Sequence, residues 1–197
     1  MSGLTWEDVS GGVGLRVTVP VTMGPDEAAR ELAPRLSALA GERAPASSGE
    51  AGARPGVPVV TIDGYSGSGK STLAAALTPL LPGWQVLHLD DWYPGWDGLA
   101  EGAHIARRIA ADLRGGRASS YEAWDWEAGI TGATIRVPLA PTIIEGCGAI
   151  EAEADLVIWI ADPGEDERRS RALARDGQTY APHWQRWADQ DLGRSLP

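Results

Sequence analysis

The first residues that could do chemistry form a glycine-rich run that ends in a lysine. Residues 64–71 read Gly-Tyr-Ser-Gly-Ser-Gly-Lys-Ser, and glycines at this spacing let backbone N–H groups converge on an anion. Lys70 is the single lysine among 17 basic residues, and all the others are arginine. A compact ammonium fits between phosphate oxygens, where a planar guanidinium is too wide. The run therefore predicts a phosphate-binding loop for a nucleoside triphosphate.

The flanks of this run fit such a loop. The apolar stretch 57–63 predicts a buried strand entering it, and 72–77 predicts a helix leaving it. A Gly/Ser-rich connection without a ligand is the alternative, and the strand–loop–helix context favours the phosphate site. Ser71 also offers a hydroxyl to Mg²⁺. The residues expected to contact the triphosphate are Gly64, Ser66, Gly67, Ser68, Gly69, Lys70, Ser71 and Thr72.

Carboxylates follow the next two predicted strands. Asp90 and Asp91 come after the stretch 84–89, and Glu145 closes the stretch 142–144. Transfer of a phosphoryl group to a hydroxyl needs a carboxylate that accepts the hydroxyl proton, and either aspartate can supply it. An Asp-capped turn is the alternative. Glu145 is expected to hold a Mg²⁺-bound water, which makes Ser71 and Glu145 the predicted metal residues.

An arginine cluster follows a fourth predicted strand, 156–160. Arg168, Arg171 and Arg175 share one helical face, and Arg169 lies off it. The alternative is a solvated face offset by neighbouring acidic residues. The functional interpretation is a short lid, at about 163–180, that closes on the triphosphate and stabilises charge on the moving phosphoryl group.

Tryptophan is frequent, with nine in 197 residues. Aromatic rings can stack on a base or a sugar face, and nearby aspartates can bind hydroxyl groups. Core packing is the alternative for each ring. The candidates in two loops on the acceptor side are Trp92, Trp96, Trp124 and Trp126, with Asp97 and Asp125 beside them.

Alternating strands and helices predict an α/β fold. We expect a three-layer sandwich of the P-loop NTPase type, with a mostly parallel sheet flanked by helices. Residues 1–40 predict a strand and helix appendage, with a strand at 15–21 that covers a sheet edge. Residues 41–56 predict a flexible Ala/Gly/Ser/Pro linker, and residues 57–197 form the catalytic domain.

The amino-acid composition limits the classes of partner that the protein is expected to bind. The net charge of −10 and pI near 4.7 argue against nucleic acid or an anionic membrane as a partner and favour a small-molecule acceptor. The single cysteine, Cys147, and the lack of an apolar span or signal segment predict a cytoplasmic protein. The chain has no asparagine, which disfavours translational GTPases and protein kinases. The oligomeric state stays open, with a homo-oligomer as one alternative.

The four motifs together resemble the uridine kinase group of P-loop kinases, within the wider family that includes phosphoribulokinase and bacterial pantothenate kinase. The resemblance covers residues 57–180 and rests on the phosphate loop, the segment 90–93, Ile144-Glu145-Gly146, and the segment 171–176. It implies that Asp90 is the catalytic base and that Tyr93 contacts the nucleoside. It also implies that Arg171 and Arg175 are the lid arginines, and that Trp124-Asp125-Trp126 is a substrate segment; Trp92 is expected at the substrate as a stacking ring.

The sequence departs from the family pattern at several points. Asp91-Trp92 replaces Ser-Phe, the Arg-Gly-Arg run after Asp176 is missing, and no histidine stands beside Trp124. The expectation is an enzyme that uses ATP and Mg²⁺ to phosphorylate a hydroxyl, with a nucleoside as the leading acceptor. The alternatives are another acceptor (a sugar, a vitamin precursor, an antibiotic or a nucleoside monophosphate) and an ATP-binding switch or ATPase whose partner is a protein.

Overall fold

The structure is a computed structural model that describes residues 3–8, 14–42 and 55–194. None of the helices in these ranges combines the length and apolar composition that a membrane crossing requires. The strands are β1 (Thr5–Asp8), β2 (Leu15–Val19), β3 (Val59–Asp63), β4 (Gln85–His88), β5 (Ser119–Asp125), β6 (Ile130–Val137), β7 (Thr142–Glu145) and β8 (Leu156–Ile160). The helices are α1 (Pro25–Glu42), α2 (Lys70–Leu77), α3 (Leu99–Arg114), α4 (Glu165–Tyr180) and α5 (Trp184–Leu192).

A six-stranded sheet organises the fold, in the order β1-β2-β8-β3-β7-β4. Strands β2, β8, β3, β7 and β4 run parallel, and only the edge strand β1 is antiparallel to its neighbour. Helices cover both faces, so the predicted α/β class with a mostly parallel sheet is confirmed. The carboxyl ends of β3, β4, β7 and β8 meet at one edge, where ligands bind in such sheets.

The central strand β3 is buried on both faces, as parallel strands usually are. Val60 and Ile62 pack on one side with α1 and α2, whereas Val59 packs on the other side with α3 and α5. Two core layers therefore hold β3 firmly, and the loop that follows it starts from a fixed point.

The N-terminal segment belongs to this sheet and core. We expected a strand and helix appendage whose strand at 15–21 covers a sheet edge; that strand is β2, which pairs with β8, and Leu32 and Leu36 of α1 are fully buried in the layer shared with α2. Helix α1 continues past Pro34, which lies on its exposed face, where a carbonyl without an N–H partner remains open to water. The expected linker, 41–56, begins inside α1, and its residues 43–54 lie outside the described ranges.

A hairpin of β5 and β6 stands apart from the main sheet, and the sequence analysis did not predict it. Seven of the eight residues of β6 are exposed, so the strand lacks the alternation of buried and exposed positions that identifies a half-buried strand. The register is also irregular between Glu122 and Trp124. The hairpin carries Trp126 back toward the end of β4.

We predict that Leu36→Ala lowers the free energy of unfolding by about 3 kcal/mol, because the side chain is fully buried between α1 and the sheet. Denaturant unfolding should show one cooperative transition. The control Leu80→Ala removes a side chain that is 40% exposed and should cost under about 1 kcal/mol. A separate transition for the N-terminal segment would contradict its place in the core.

Candidate active site

The loop between β3 and α2 has the backbone conformation that the glycine-rich run predicts. Gly67 and Gly69 have φ values of +80° and +110°, in the left-handed region. A Cβ on Gly67 would also lie 2.2 Å from the carbonyl oxygen of Arg168, so only glycine fits between the loop and α4. The loop delivers the chain to Lys70, the first residue of α2, and the helix N-terminus adds its positive dipole to the site.

Lys70 is buried at the centre of the site, with 7% of its surface exposed. Its Nζ donates to the carbonyl oxygens of Gly64 at 2.8 Å and Tyr65 at 3.1 Å, and to Sγ of Cys147 at 3.3 Å. Burial alone would lower the pKa of Lys70. Cys147 and the carboxylates of Asp191 and Asp63 outweigh burial, so the pKa is raised and the ammonium stays charged.

A buried ion network lies behind the loop, and sequence reasoning missed it. Arg194 donates to Oδ2 of Asp63 at 2.8 Å and to Oδ1 of Asp191 at 2.6 Å, and all three side chains are at most 5% exposed. Asp191 also accepts the backbone N–H of Ser66 at 2.7 Å, and Asp63 accepts that of Gly64 at 2.6 Å. The network ties the phosphate loop to the C-terminal end of α5. The sequence signal, an Asp and an Arg three residues apart, is too common to be recognised.

Asp90 and Asp91 lie in a short 3-10 turn after β4 and face the space in front of Lys70. The Asp90 side chain is open to this space, but protein atoms displace much of the water around it. That desolvation, together with the negative charge of Glu145, raises the pKa of Asp90 above its usual value, and Lys70 opposes the shift. A carboxylate with a raised pKa is a stronger proton acceptor. Asp91 accepts a weak hydrogen bond from Tyr121 at 3.4 Å.

Glu145 is 3% exposed and accepts a hydrogen bond from Nδ1 of His88 at 2.6 Å. Burial raises the pKa of Glu145, but the bond to His88 and the charge of Lys70 outweigh burial, so the pKa is lowered. Ser71 also contributes a hydrogen bond to this carboxylate. A hydroxyl and an ionised carboxylate are hard oxygen donors that suit Mg²⁺ together with phosphate oxygens. Within the described ranges no group of three or more His, Cys, Asp or Glu side chains could hold a metal by itself.

Two cavities meet at the phosphate loop and share Gly67, Lys70, Ser71 and Arg175. The first, of about 700 Å³, we call the cationic cavity because, among the residues that the structure describes, three basic side chains and no carboxylate line it. Its lining comprises residues 19–25 with Ala28, residues 67–73, and Ile160, Ala161, Pro163, Arg171, Ala172 and Arg175.

The second cavity, of about 600 Å³, we call the acidic cavity because four carboxylates line it beside Lys70 and Arg175. Aromatic rings form much of the remaining wall. Its lining comprises Ser66, Gly67, Lys70, Ser71, Asp90, Asp91, Tyr93, Trp96, Trp126, Glu145, Gly146, Cys147, Arg175, Asp176, Thr179, Tyr180 and Trp187. The two cavities thus have opposite charge on either side of one lysine.

The predicted lid is helix α4, and its arginines differ in their surroundings. Arg171 faces the cationic cavity and pairs with Glu167 at 2.9 Å, whereas Arg175 faces both cavities and binds Asp176 through two hydrogen bonds. Arg168 is 3% exposed and lies 4.9 Å from the ring of Tyr65. Arg168 therefore fixes α4 to the loop, whereas Arg171 and Arg175 line the cavities while paired with Glu167 and Asp176.

The predicted substrate residues are only partly brought together. Tyr93 lines the acidic cavity, and its hydroxyl donates to the carbonyl oxygen of Cys147 at 2.6 Å. Trp92 instead lies in the interior, 1% exposed, and donates to the carbonyl oxygen of Gly102. Asp125 lies at the start of the turn between β5 and β6, and its carboxylate accepts two backbone N–H groups of that turn.

Trp124 does not line either cavity and lies against Gly95. The structure therefore does not bring Trp92, Trp124 and Asp125 to either cavity, and their expected substrate roles stay predictions. Trp126 lines the acidic cavity instead, and its Nε1 donates to the backbone oxygen of Asp90 at 2.8 Å. It packs on Trp96 at 4.7 Å between ring centroids.

No family model matches this chain, and no curated protein matches it either. Among solved structures, a "possible uridine kinase" from Bacillus stearothermophilus is similar at 21% identity, covering 82% of this chain and 92% of that one, with a TM-score of 0.45. A "putative fructose transport system kinase" from Silicibacter sp. TM1040 is similar at 21% identity, covering 84% and 96%, with a TM-score of 0.48. At these scores the likeness carries no argument about function, which rests on the geometry of the site.

We predict that Arg194→Ala lowers the free energy of unfolding by about 3 kcal/mol or more, because it leaves the buried carboxylates of Asp63 and Asp191 without their cation. Chemical denaturation at neutral pH measures the loss. The control Arg186→Ala breaks an exposed pair with Asp97 and should cost at most about 1 kcal/mol. Equal costs for the two variants would contradict the buried network.

The pair His88 and Glu145 gives a pH prediction. The hydrogen bond that His88 donates to Glu145 raises the pKa of His88 above 6.5, so the stability that the pair contributes is fully present below pH 6.5 and is lost as pH rises through the raised pKa. NMR titration should find this pKa above 6.5 and lower in Glu145→Gln. An unchanged His88 titration in the variant would contradict the pairing.

Proposed function

We propose that the protein is a phosphotransferase that uses ATP and Mg²⁺ to phosphorylate a hydroxyl of a small molecule, with a nucleoside as the acceptor class. The observation that carries this proposal is the division of charge around Lys70. A polyphosphate suits the cationic cavity, where Lys70, Arg171 and Arg175 are not opposed by any lining carboxylate. A hydroxyl acceptor suits the acidic cavity, where carboxylates can take its proton.

In this mechanism the two substrates meet above Lys70. The loop N–H groups and Lys70 bind the β- and γ-phosphates, and the γ-phosphate points into the acidic cavity. Asp90 accepts the proton of the acceptor hydroxyl while the hydroxyl oxygen attacks the γ-phosphate in line. Arg175 faces both cavities, so its guanidinium can stabilise the negative charge of the phosphoryl group as that group moves from donor to acceptor. Its bond to Asp176 holds the guanidinium near this boundary.

Ser71 and Glu145 would hold the Mg²⁺, Ser71 directly and Glu145 through a water molecule. When bound, the ion neutralises part of the triphosphate charge. Glu145 stays ionised at neutral pH because His88 and Lys70 lower its pKa. The chain supplies a fixed carboxylate for this purpose without a change of protonation.

The acidic cavity supports an acceptor that carries no phosphate. Recognition of a monophosphate would need basic side chains in addition to Lys70 and Arg175, which the triphosphate would use, and the arginines of α3 and the turn after it line neither cavity. Arg107 pairs with Glu151, Arg114 with Glu153, and Arg117 with Asp112, while Arg108 binds Ser119 and Ser120. The rings of Trp126, Tyr180 and Trp187 instead provide apolar surface for a base or a sugar ring. This argues for a nucleoside over a nucleotide acceptor.

The test is ADP release from ATP and Mg²⁺ in the presence of nucleosides, sugars, amino alcohols and nucleoside monophosphates. We expect a nucleoside to stimulate release well above hydrolysis to water. Stimulation by monophosphates alone would overturn the acceptor class. Release that no acceptor increases would favour the switch or ATPase alternative.

For catalysis we predict that Asp90→Asn lowers kcat by about 10²-fold or more, while the Kd for ADP changes by less than about threefold. The matched control is Asp97→Asn, because Asp97 is exposed, pairs with Arg186 and lines neither cavity. Asp91→Asn tests the neighbouring carboxylate. Full turnover in Asp90→Asn with loss in Asp91→Asn would move the base by one residue.

A further inference from the structure

The connection between β2 and α1 forms one wall of the cationic cavity. We call residues 20–24 the β2–α1 loop, and all five line this cavity, together with Val19, Pro25 and Ala28 on either side. The loop is ordered by a turn in which Met23 donates its backbone N–H to the carbonyl oxygen of Pro20 at 3.0 Å. These residues precede the phosphate loop by some forty positions in the chain, and no motif of the sequence gave them a role.

The sheet explains why this loop reaches the phosphate site. Strand β2 is parallel to β8, with Val19 opposite Ile160, so both strands end at the same edge. Ala161 donates its backbone N–H to the carbonyl oxygen of Val19 at 3.0 Å, just where the two chains leave the sheet. The β2–α1 loop therefore leaves the sheet beside Ala161 and Pro163, and the two segments line the same cavity.

The phosphate-loop residues that line each cavity indicate which part of a bound nucleotide would contact the β2–α1 loop. Ser66 lines only the acidic cavity, whereas Thr72 and Leu73 line only the cationic cavity. With the γ-phosphate directed toward Asp90, the rest of the nucleotide must extend past Thr72. The β2–α1 loop lies in that direction.

The chemistry of the walls suits a flat aromatic base. Pro20, Val21 and Met23 present apolar surface, as do Ala161 and Pro163 in the neighbouring segment. No carboxylate lines the cavity, and Thr22 is the single hydroxyl-bearing residue of the loop. Binding there depends on burial of a ring between apolar surfaces and on backbone groups.

We infer that the β2–α1 loop is half of the binding site for the base of the donor nucleotide. This inference rests on the proposed function, because it takes the phosphates to lie on the loop at 64–72. It makes the N-terminal segment a part of the catalytic unit that contacts the base, in addition to its role in the core.

Val21 offers the cleanest substitution, because it lines the cavity and is 58% exposed, so the fold does not depend on it. Val21→Ala should raise the Kd for ADP by about three- to tenfold, since it removes apolar surface from under the base. The Kd for inorganic tripolyphosphate, which has no base, should change by less than about twofold. Ile130→Ala is the matched control, because Ile130 is 59% exposed and lines neither cavity. Calorimetry with the full-length protein measures both constants for the wild type and for each variant.

Photolabelling with 8-azido-ADP locates the base directly. Cleavage after Arg16 and Arg30 releases the peptide 17–30, which contains the whole β2–α1 loop. We expect label in this peptide, and ATP should suppress it. Label confined to the hairpin peptide 118–136, which carries Trp126, would place the base in the acidic cavity and overturn the inference.

The outcomes separate the inference from the function on which it rests. If ADP and tripolyphosphate both bind, but Val21→Ala binds ADP normally and peptide 17–30 is unlabelled, the inference alone is wrong. If neither ligand binds the wild-type protein, the proposed function is wrong and the inference falls with it. Weaker ADP binding with unchanged tripolyphosphate binding supports both.

Discussion

The site depends on keeping a buried ammonium charged. Burial costs Lys70 its water, and the structure compensates with two loop carbonyl oxygens and with the carboxylates behind the loop. Those carboxylates, Asp63 and Asp191, need a cation of their own, which Arg194 supplies. These ion pairs and hydrogen bonds connect the phosphate loop to the end of β3 and to the C-terminal end of α5. This arrangement explains why α5 is folded back against the loop.

The same lysine separates two environments. On the α1 side, the cationic cavity is lined by basic side chains and apolar walls. On the side of β4 and β7, the acidic cavity is lined by carboxylates and aromatic rings. A single cavity of mixed charge would not distinguish a polyphosphate donor from a neutral acceptor. Opposite charge on the two sides favours one orientation of the donor, with its terminal phosphate directed at the acceptor. The tip of the β5–β6 hairpin completes the acceptor side, because Trp126 is bonded to the backbone of Asp90.

Local pattern predicted much of this architecture. The alternation of apolar strands and helices gave the α/β class, and the Gly-Lys-Ser run gave the loop between β3 and α2, because both depend on short stretches of sequence. The sequence did not predict the hairpin, because β6 is exposed on both faces and has no periodic pattern. It did not predict the network of Asp63, Asp191 and Arg194, because these residues are up to 131 positions apart and come together only in the fold. Local pattern could not separate Trp92 from its neighbours in sequence, which line the acidic cavity, whereas the Trp92 ring lies in the interior.

The central claim is that donor and acceptor occupy opposite sides of Lys70. A crystal structure with Mg²⁺ and a non-hydrolysable ATP analogue tests it most directly. The account predicts phosphates on the loop at residues 64–72, the base in the cationic cavity, and the terminal phosphate facing Asp90. A base stacked on Trp126 in the acidic cavity, with the terminal phosphate directed toward Arg171, would contradict it.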